Sequence, residues 1–148
     1  MFGSLLNAGA LMNTEVLVIL GTALGAECIQ QTLVRMHVLG EVVARSAIYY
    51  SRDRTGGARF YWNVGLRIQT GFHTAELQHT IQRLQSSPQP SVSKERWVDI
   101  DIIFHAGQCL RPAEMEYDYV RVILGDLGYR FDCSFDRVLG LDVRLRSG

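Results

Sequence analysis

The sequence has no surplus of either charge: Lys plus Arg and Asp plus Glu are 15 each. That removes the global basic field a general nucleic-acid or anionic-membrane binder relies on, and no acidic bias replaces it. Any anion site must therefore be local. Cysteine is also scarce. Cys28, Cys109 and Cys133 are odd in number and lack ligand spacing, and His37, His73, His79 and His105 are scattered, so nothing reads as a zinc site. Such thiols fit a reducing, cytoplasmic compartment, each as a small buried hydrophobe. No apolar run reaches the length of a membrane span. Residues 1–15 are mildly apolar without a basic n-region, which argues against a secretory signal. They are expected to form a loosely packed leader, with Met12 a second candidate start. No internal repeat is visible.

What is present is enough apolar material for one domain: 148 residues, 47% of them hydrophobic. The chain is organised around Arg96-Trp97-Val98-Asp99-Ile100-Asp101-Ile102-Ile103-Phe104. Val98, Ile100, Ile102 and Phe104 alternate with Trp97, Asp99, Asp101 and Ile103, the period of a half-buried strand. One face is aliphatic. The other carries two carboxylates whose Cα atoms are roughly 6.5–7 Å apart along a strand. A hard cation relieves their repulsion, because Mg²⁺ takes one or two carboxylates together with phosphates and water. A solvated polar strand face is the plainer alternative.

Upstream, residues 16–20 form a continuous apolar run, read as a buried central strand, and Gly21-Thr22-Ala23-Leu24-Gly25 turns it into a helix over 24–39. Gly40 stops that helix. Residues 42–50 are β-branched and aromatic and predict a second strand, and 51–59 are a polar loop. Phe60, Trp62, Val64, Leu66 and Ile68 then alternate with Tyr61, Asn63, Gly65, Arg67 and Gln69, a third strand. Leu77, Ile81 and Leu84 mark a second helix capped by Thr74. Residues 86–93, with Pro88 and Pro90, are a loop. Val120, Ile123, Leu124 and Leu127 define a third helix, and two alternating runs either side of Gly140 predict a C-terminal hairpin.

The order strand, helix, strand, strand, helix, strand predicts an α+β fold, the ferredoxin-like split βαβ sandwich: a four-stranded antiparallel sheet with helices on one face, plus the hairpin. The expected organisation is a leader over 1–15, a domain over 16–127, and an extension of the same domain over 128–148. If the helices cover the aliphatic faces, then Tyr61, Asn63, Asp99 and Asp101 share the opposite, open side.

These residues resemble the hydroxymethyl-dihydropterin pyrophosphokinase family. Arg96-x-x-Asp99-x-Asp101-Ile102 is similar to its Arg-x-x-Asp-x-Asp-Ile signature, Tyr61-Trp62-Asn63 to its Tyr-x-Asn, and Gly21-Thr22-Ala23-Leu24-Gly25 stands where the family has Gly-Ser-Asn-Leu-Gly. The resemblance spans roughly 16–127. It implies transfer of pyrophosphate from ATP to the hydroxymethyl group of a reduced pterin in folate biosynthesis. It implies that Asp99 and Asp101 hold two Mg²⁺ ions, that Arg96 and Lys94 bind ATP phosphate, and that Tyr61 and Asn63 line the pterin pocket. Arg96, Asp99 and Asp101 are the implied catalytic residues.

The chain departs from the family in its first turn, in the pterin loop, after the fourth strand and in its lid. Ala23 replaces an Asn, Ser51-Arg52-Asp53 replaces a Thr-Pro-rich loop, and Pro112-Ala113 stands where the family has Pro-His. The loop before Asp99 is short and Ser/Pro-rich, with Lys94 and Arg96 where the family has several arginines. Fewer preorganised charges stabilise a transition state less. Two alternatives therefore stand beside the enzyme: a weakened or inactive paralogue that binds a pterin or nucleotide, and a ferredoxin-like interaction module. The expected partners are small molecules, pterin and ATP, with neither nucleic acid nor membrane. The hairpin offers an edge for an oligomer.

Overall fold

The computed structural model describes residues 14–52, 59–86, 88, 97–129 and 144–146. Its central element is β1 (Thr14–Thr22). Val16, Leu17, Val18, Ile19 and Leu20 are all buried, as an unbroken apolar run must be if both sheet faces are covered. β1 pairs antiparallel with β4 (Phe60–Thr70) along its whole length, from Thr14 opposite Thr70 to Thr22 opposite Trp62. On its other side it pairs antiparallel with β5 (Asp99–His105). β2 (Glu41–Arg45) and β3 (Ile48–Arg52) lie end to end along the far edge of β4. The fold is α+β, as the order of elements predicts.

The expected single strand over 42–50 is broken at Ser46 and Ala47. Ser46 donates its N–H to Gly65 O at 2.9 Å, while its Oγ accepts the Gly65 N–H at 2.8 Å. A side chain thus takes a place in the ladder, and the strand kinks there.

α1 (Ala26–Arg35) and α2 (Thr74–Leu84) pack on one face. Ile29, Met36, Leu39, Leu77 and Ile81 meet Val16, Val18, Leu20, Leu66 and Ile68 there. α1 continues as a 3-10 turn, Met36–Leu39, and ends at Gly40, whose φ is 147°. A Cβ on Gly40 would stand 2.0 Å from Gln69 O, so only glycine allows the chain to turn into β2 so close to β4.

The third helix, α3 (Asp118–Asp126), lies on the opposite face. Val120, Ile123, Leu124 and Leu127 cover Leu17, Ile19, Tyr49 and Ile103. The expectation of helices on one face therefore holds for α1 and α2, and α3 departs from it. The odd-numbered residues of β1 are as apolar as the even ones and need their own cover. Gly65 admits the helix: a Cβ there would lie 2.3 Å from Ile123 Cγ2 and 3.0 Å from Leu127 Cδ1. Asp126 fastens the helix end, accepting the Ala47 N–H at 3.1 Å and the Tyr49 hydroxyl at 2.5 Å.

A bulge shifts the β1–β5 register between Leu17 and Val18. Val18 faces Ile102 while Leu17 faces Phe104, so Ile103 is the extra residue. Beyond it the alternation inverts. Phe104, expected on the face of Ile100 and Ile102, instead joins the α3 side and stacks on Tyr129 with ring centroids 5.6 Å apart.

β6 (Gln108–Cys109) extends the sheet beyond β5. At the other edge β7 (Arg144–Arg146) pairs antiparallel with β3, Ile48 opposite Arg146. The rest of the expected hairpin, and the expected leader up to residue 13, lie outside the described residues. No helix among the described residues is long and apolar enough to cross a membrane.

Candidate functional site

Asp99 stands opposite Gly21, Gly21 stands opposite Asn63, and Asn63 stands opposite Tyr49. Residues directly opposite across a sheet send their side chains to one face. That face is the α3 side, because Tyr49 packs in the α3 cluster. Asp101, opposite Ile19, lies on it too, and so does Tyr61, opposite Ser51. The four residues singled out from alternation on two separate strands therefore meet on one face, next to the patch of Leu17, Ile19, Tyr49 and Ile103 that α3 covers. Between Asp99 and Asn63 the row holds only Gly21. Strands are about 4.8 Å apart, so the two side chains flank a floor roughly 10 Å wide that carries bare backbone at its centre. A Cβ on Gly21 would come within 3.1 Å of Asn63 Oδ1.

The start of β5 is held from several sides. Gln85, just past α2, accepts the N–H groups of Trp97 (2.9 Å) and Val98 (3.4 Å) on its backbone oxygen, and that of Ile100 (2.9 Å) on its side-chain oxygen. Trp97 O accepts Thr22 Oγ1 at 2.9 Å and Cys28 Sγ at 3.2 Å. These bonds fix Asp99 against Gly21 and give Cys28 a positional role. Burial pushes the Cys28 thiol above its ordinary range, so it stays protonated and able to donate. The Trp97 ring packs with the α1–α2 core and lies under Arg35, whose guanidinium carbon is 5.6 Å from the ring centroid. It is thus on the face away from the carboxylates.

Asn63 is buried, and its amide nitrogen is engaged by its own sheet. It donates to Ser51 Oγ at 2.6 Å and Tyr61 O at 3.2 Å, with Tyr49 O at 3.5 Å. Three acceptors around one nitrogen fix the orientation of the amide. What Asn63 presents over Gly21 is its carbonyl.

The carboxylates have a neighbour that sequence reading missed. Arg111 Nη1 lies 3.3 Å from Asp101 Oδ1, and its Nη2 lies 3.6 Å from Glu114 Oε1. From sequence, Arg111 marked only a break before Pro112; a basic residue a short hairpin away from Asp101 was the available signal. Lys94 and Arg96 lie outside the described residues. No group of three or more His, Cys, Asp or Glu side chains able to hold a metal occurs among the described residues. The donor set of Asp99 and Asp101 alone fits Mg²⁺, which takes one or two carboxylates and completes its octahedron with phosphate and water, and does not fit a metal needing an all-protein cage.

The other histidine and carboxylate networks are structural. His105 is buried between Thr14 Oγ1 (3.2 Å from Nε2) and Thr74 Oγ1 (2.6 Å from Nδ1). Glu15 accepts Arg67 at 2.8 Å and the Tyr129 hydroxyl at 2.5 Å, and the Arg67 bond holds its carboxyl below the ordinary range.

No protein-family model matches the chain, and no curated protein matches it in sequence. Among solved structures it is similar to Plasmodium falciparum HPPK-DHPS. One substituted form of that protein, with SDX-DHP, superposes with a TM-score of 0.51 at 12% identity, covering 64% of this chain and 30% of that one. A triple mutant with STZ-DHP gives 0.50 at 11% identity, covering 64% and 28%. HPPK abbreviates hydroxymethyl-dihydropterin pyrophosphokinase. The chain spans less than a third of the length of the structures it matches. At this identity the likeness is one of fold.

Proposed function

We propose that the chain binds a magnesium nucleotide and a reduced pterin on the α3 face of the sheet beside Asp99 and Asn63, and transfers pyrophosphate from ATP to the pterin hydroxymethyl group. The observation that carries this is the row Asp99–Gly21–Asn63, which sets an acidic pair and a polar amide on either side of a side-chain-free stretch of backbone. The HPPK-like fold supports the same reading.

In this reading Asp99 and Asp101 hold Mg²⁺, which supplies charge neutralisation on the phosphates when bound. The pterin hydroxyl oxygen bonds to the β-phosphorus, the bond from that phosphorus to the bridging α–β oxygen breaks, AMP leaves, and the hydroxyl proton passes to solvent. Such a displacement depends on in-line positioning more than on covalent chemistry. Gly21 supplies the floor, Tyr61 a wall, and Asn63 an acceptor for a pterin N–H. Arg96 and Lys94 bind phosphate, Arg96 as a planar fork.

A second reading, binding without turnover, is favoured by the engaged amide nitrogen of Asn63 and by the few cations of the loop before Asp99. The test is AMP release from MgATP with reduced hydroxymethylpterin. Pterin-dependent AMP is expected, falling roughly a hundredfold or more in Asp99→Asn and in Asp101→Asn. No AMP, with calorimetric binding of pterin or MgATP retained, moves the conclusion to the second reading. A folded chain that binds neither is a ferredoxin-like module.

A further inference from the structure

Arg111 is held between two carboxylates of unequal burial. Its Nη2 faces Glu114, whose side chain is 11% exposed, and its Nη1 faces Asp101, whose side chain is 27% exposed. The local backbone builds this arrangement. Pro112 opens the 3-10 turn Pro112–Glu116, and the Glu114 N–H donates to Arg111 O at 3.0 Å, so the turn brings the two side chains together. A buried carboxylate needs a counter-charge more than a half-exposed one does. The guanidinium, itself 47% exposed, is thus shared between Asp101 at 3.3 Å and the more buried Glu114 at 3.6 Å, with the 3-10 turn holding it beside both.

We propose that Arg111 is a tethered counter-cation that competes with a divalent cation for Asp101 and so sets the metal affinity of the strand. The inference rests on the metal reading of Asp99 and Asp101. A cation on Asp101 Oδ1 and a guanidinium nitrogen 3.3 Å from that oxygen repel each other, so one must recede for the other to bind. Glu114 keeps Arg111 nearby, so the charge is displaced but not dispersed, and cation binding is weakened. Arg111 is thus a positioning residue. It offsets the repulsion of the two aspartates before the metal arrives and tunes the metal's occupancy afterwards.

The test uses Mn²⁺ alone, without nucleotide, read from the electron paramagnetic resonance signal of the free ion. In Arg111→Met the Mn²⁺ Kd is expected to fall roughly threefold to tenfold, the range for removing a partly exposed like charge. Arg111→Lys keeps the charge and stays within about twofold of the parent. The double variant Arg111→Met with Glu114→Gln also removes the carboxylate charge that faces Arg111, and it is expected to tighten binding even if the single variant folds poorly. A merely structural arginine gives the opposite sign, with looser binding in both. Mn²⁺ binding that is unchanged or weaker in both variants overturns the proposal. Asp101→Asn separates the two readings. If it leaves Mn²⁺ binding intact, the carboxylates are not the cation site and both readings fall. If it abolishes binding while Arg111→Met fails to tighten it, the metal site stands and the counter-cation role alone falls.

Discussion

His105 shows how one residue ties the start of β1, the end of β5 and the first turn of α2 together. Its two ring nitrogens meet Thr14 and Thr74, and the neutral imidazole serves both as one donor and one acceptor. Burial, and then the nearby His73, hold its pKa below the ordinary histidine value of 6.5. As pH falls below about 6.5 the unfolded chain takes up the proton before the folded one, so stability is lost through that window. We expect the urea midpoint to fall between pH 7 and pH 5, and His105→Gln to flatten the fall. An equally steep fall in the variant would assign the effect to other groups. Sequence reading could not pick this histidine out, because its partners are 91 and 31 residues away. The carboxylates were legible for the opposite reason: Asp99 and Asp101 interrupt an aliphatic alternation within one strand.

At the level of elements, the decisive contact is α3 on β4. Gly65 leaves the space into which Ile123 and Leu127 settle. In Gly65→Ala the new methyl would lie 2.3 Å from a branched methyl that cannot swing away, so the helix must shift. Overpacking of this kind costs about 1–3 kcal/mol. Chemical denaturation is expected to show a loss of that size, and a change under about 0.5 kcal/mol would mean that α3 is not seated as described. From sequence, the three helices, the strands of the split βαβ order and the stop at Gly40 were all legible, because each depends on local periodicity and turn chemistry. The side taken by α3 was not, since its amphipathic stripe fits any apolar surface. The break at Ser46 and the bulge at Ile103 were hidden as well. In each, a single residue leaves the ladder in response to a partner strand, and nothing in its neighbours announces it.

Across the whole molecule, α3 and the segment that follows it are joined to the sheet at two points by tyrosine hydroxyls on carboxylates. Tyr49 donates to Asp126 at 2.5 Å and Tyr129 to Glu15 at 2.5 Å. Burial first, and the facing carboxylate next, push both phenols well above the ordinary tyrosine value of 10.0. Groups with a raised folded pKa contribute stability that is complete below the unfolded pKa and is lost as pH rises through the folded one. The chain is therefore expected to lose stability progressively above pH 10. In the ultraviolet titration of tyrosinate, part of the absorbance should appear only on unfolding, and Tyr49→Phe and Tyr129→Phe should each remove a share of that delayed signal. Titration of all tyrosines together near pH 10 in the folded protein would contradict both contacts.

The sequence by itself determined the element order, the buried centre at residues 16–20 and the polar faces of two strands. These follow from side-chain period and from glycine and proline placement, which act over a few residues. It also carried the family resemblance that implies magnesium, ATP and a pterin. Only the tertiary structure decided that Asp99 and Asn63 flank Gly21 across three strands, that α3 packs on that same face, and that Arg111 reaches Asp101. Register across a sheet and the path of a turn between strands are settled by contacts between residues far apart in the chain. Local pattern restricts those contacts without choosing among them.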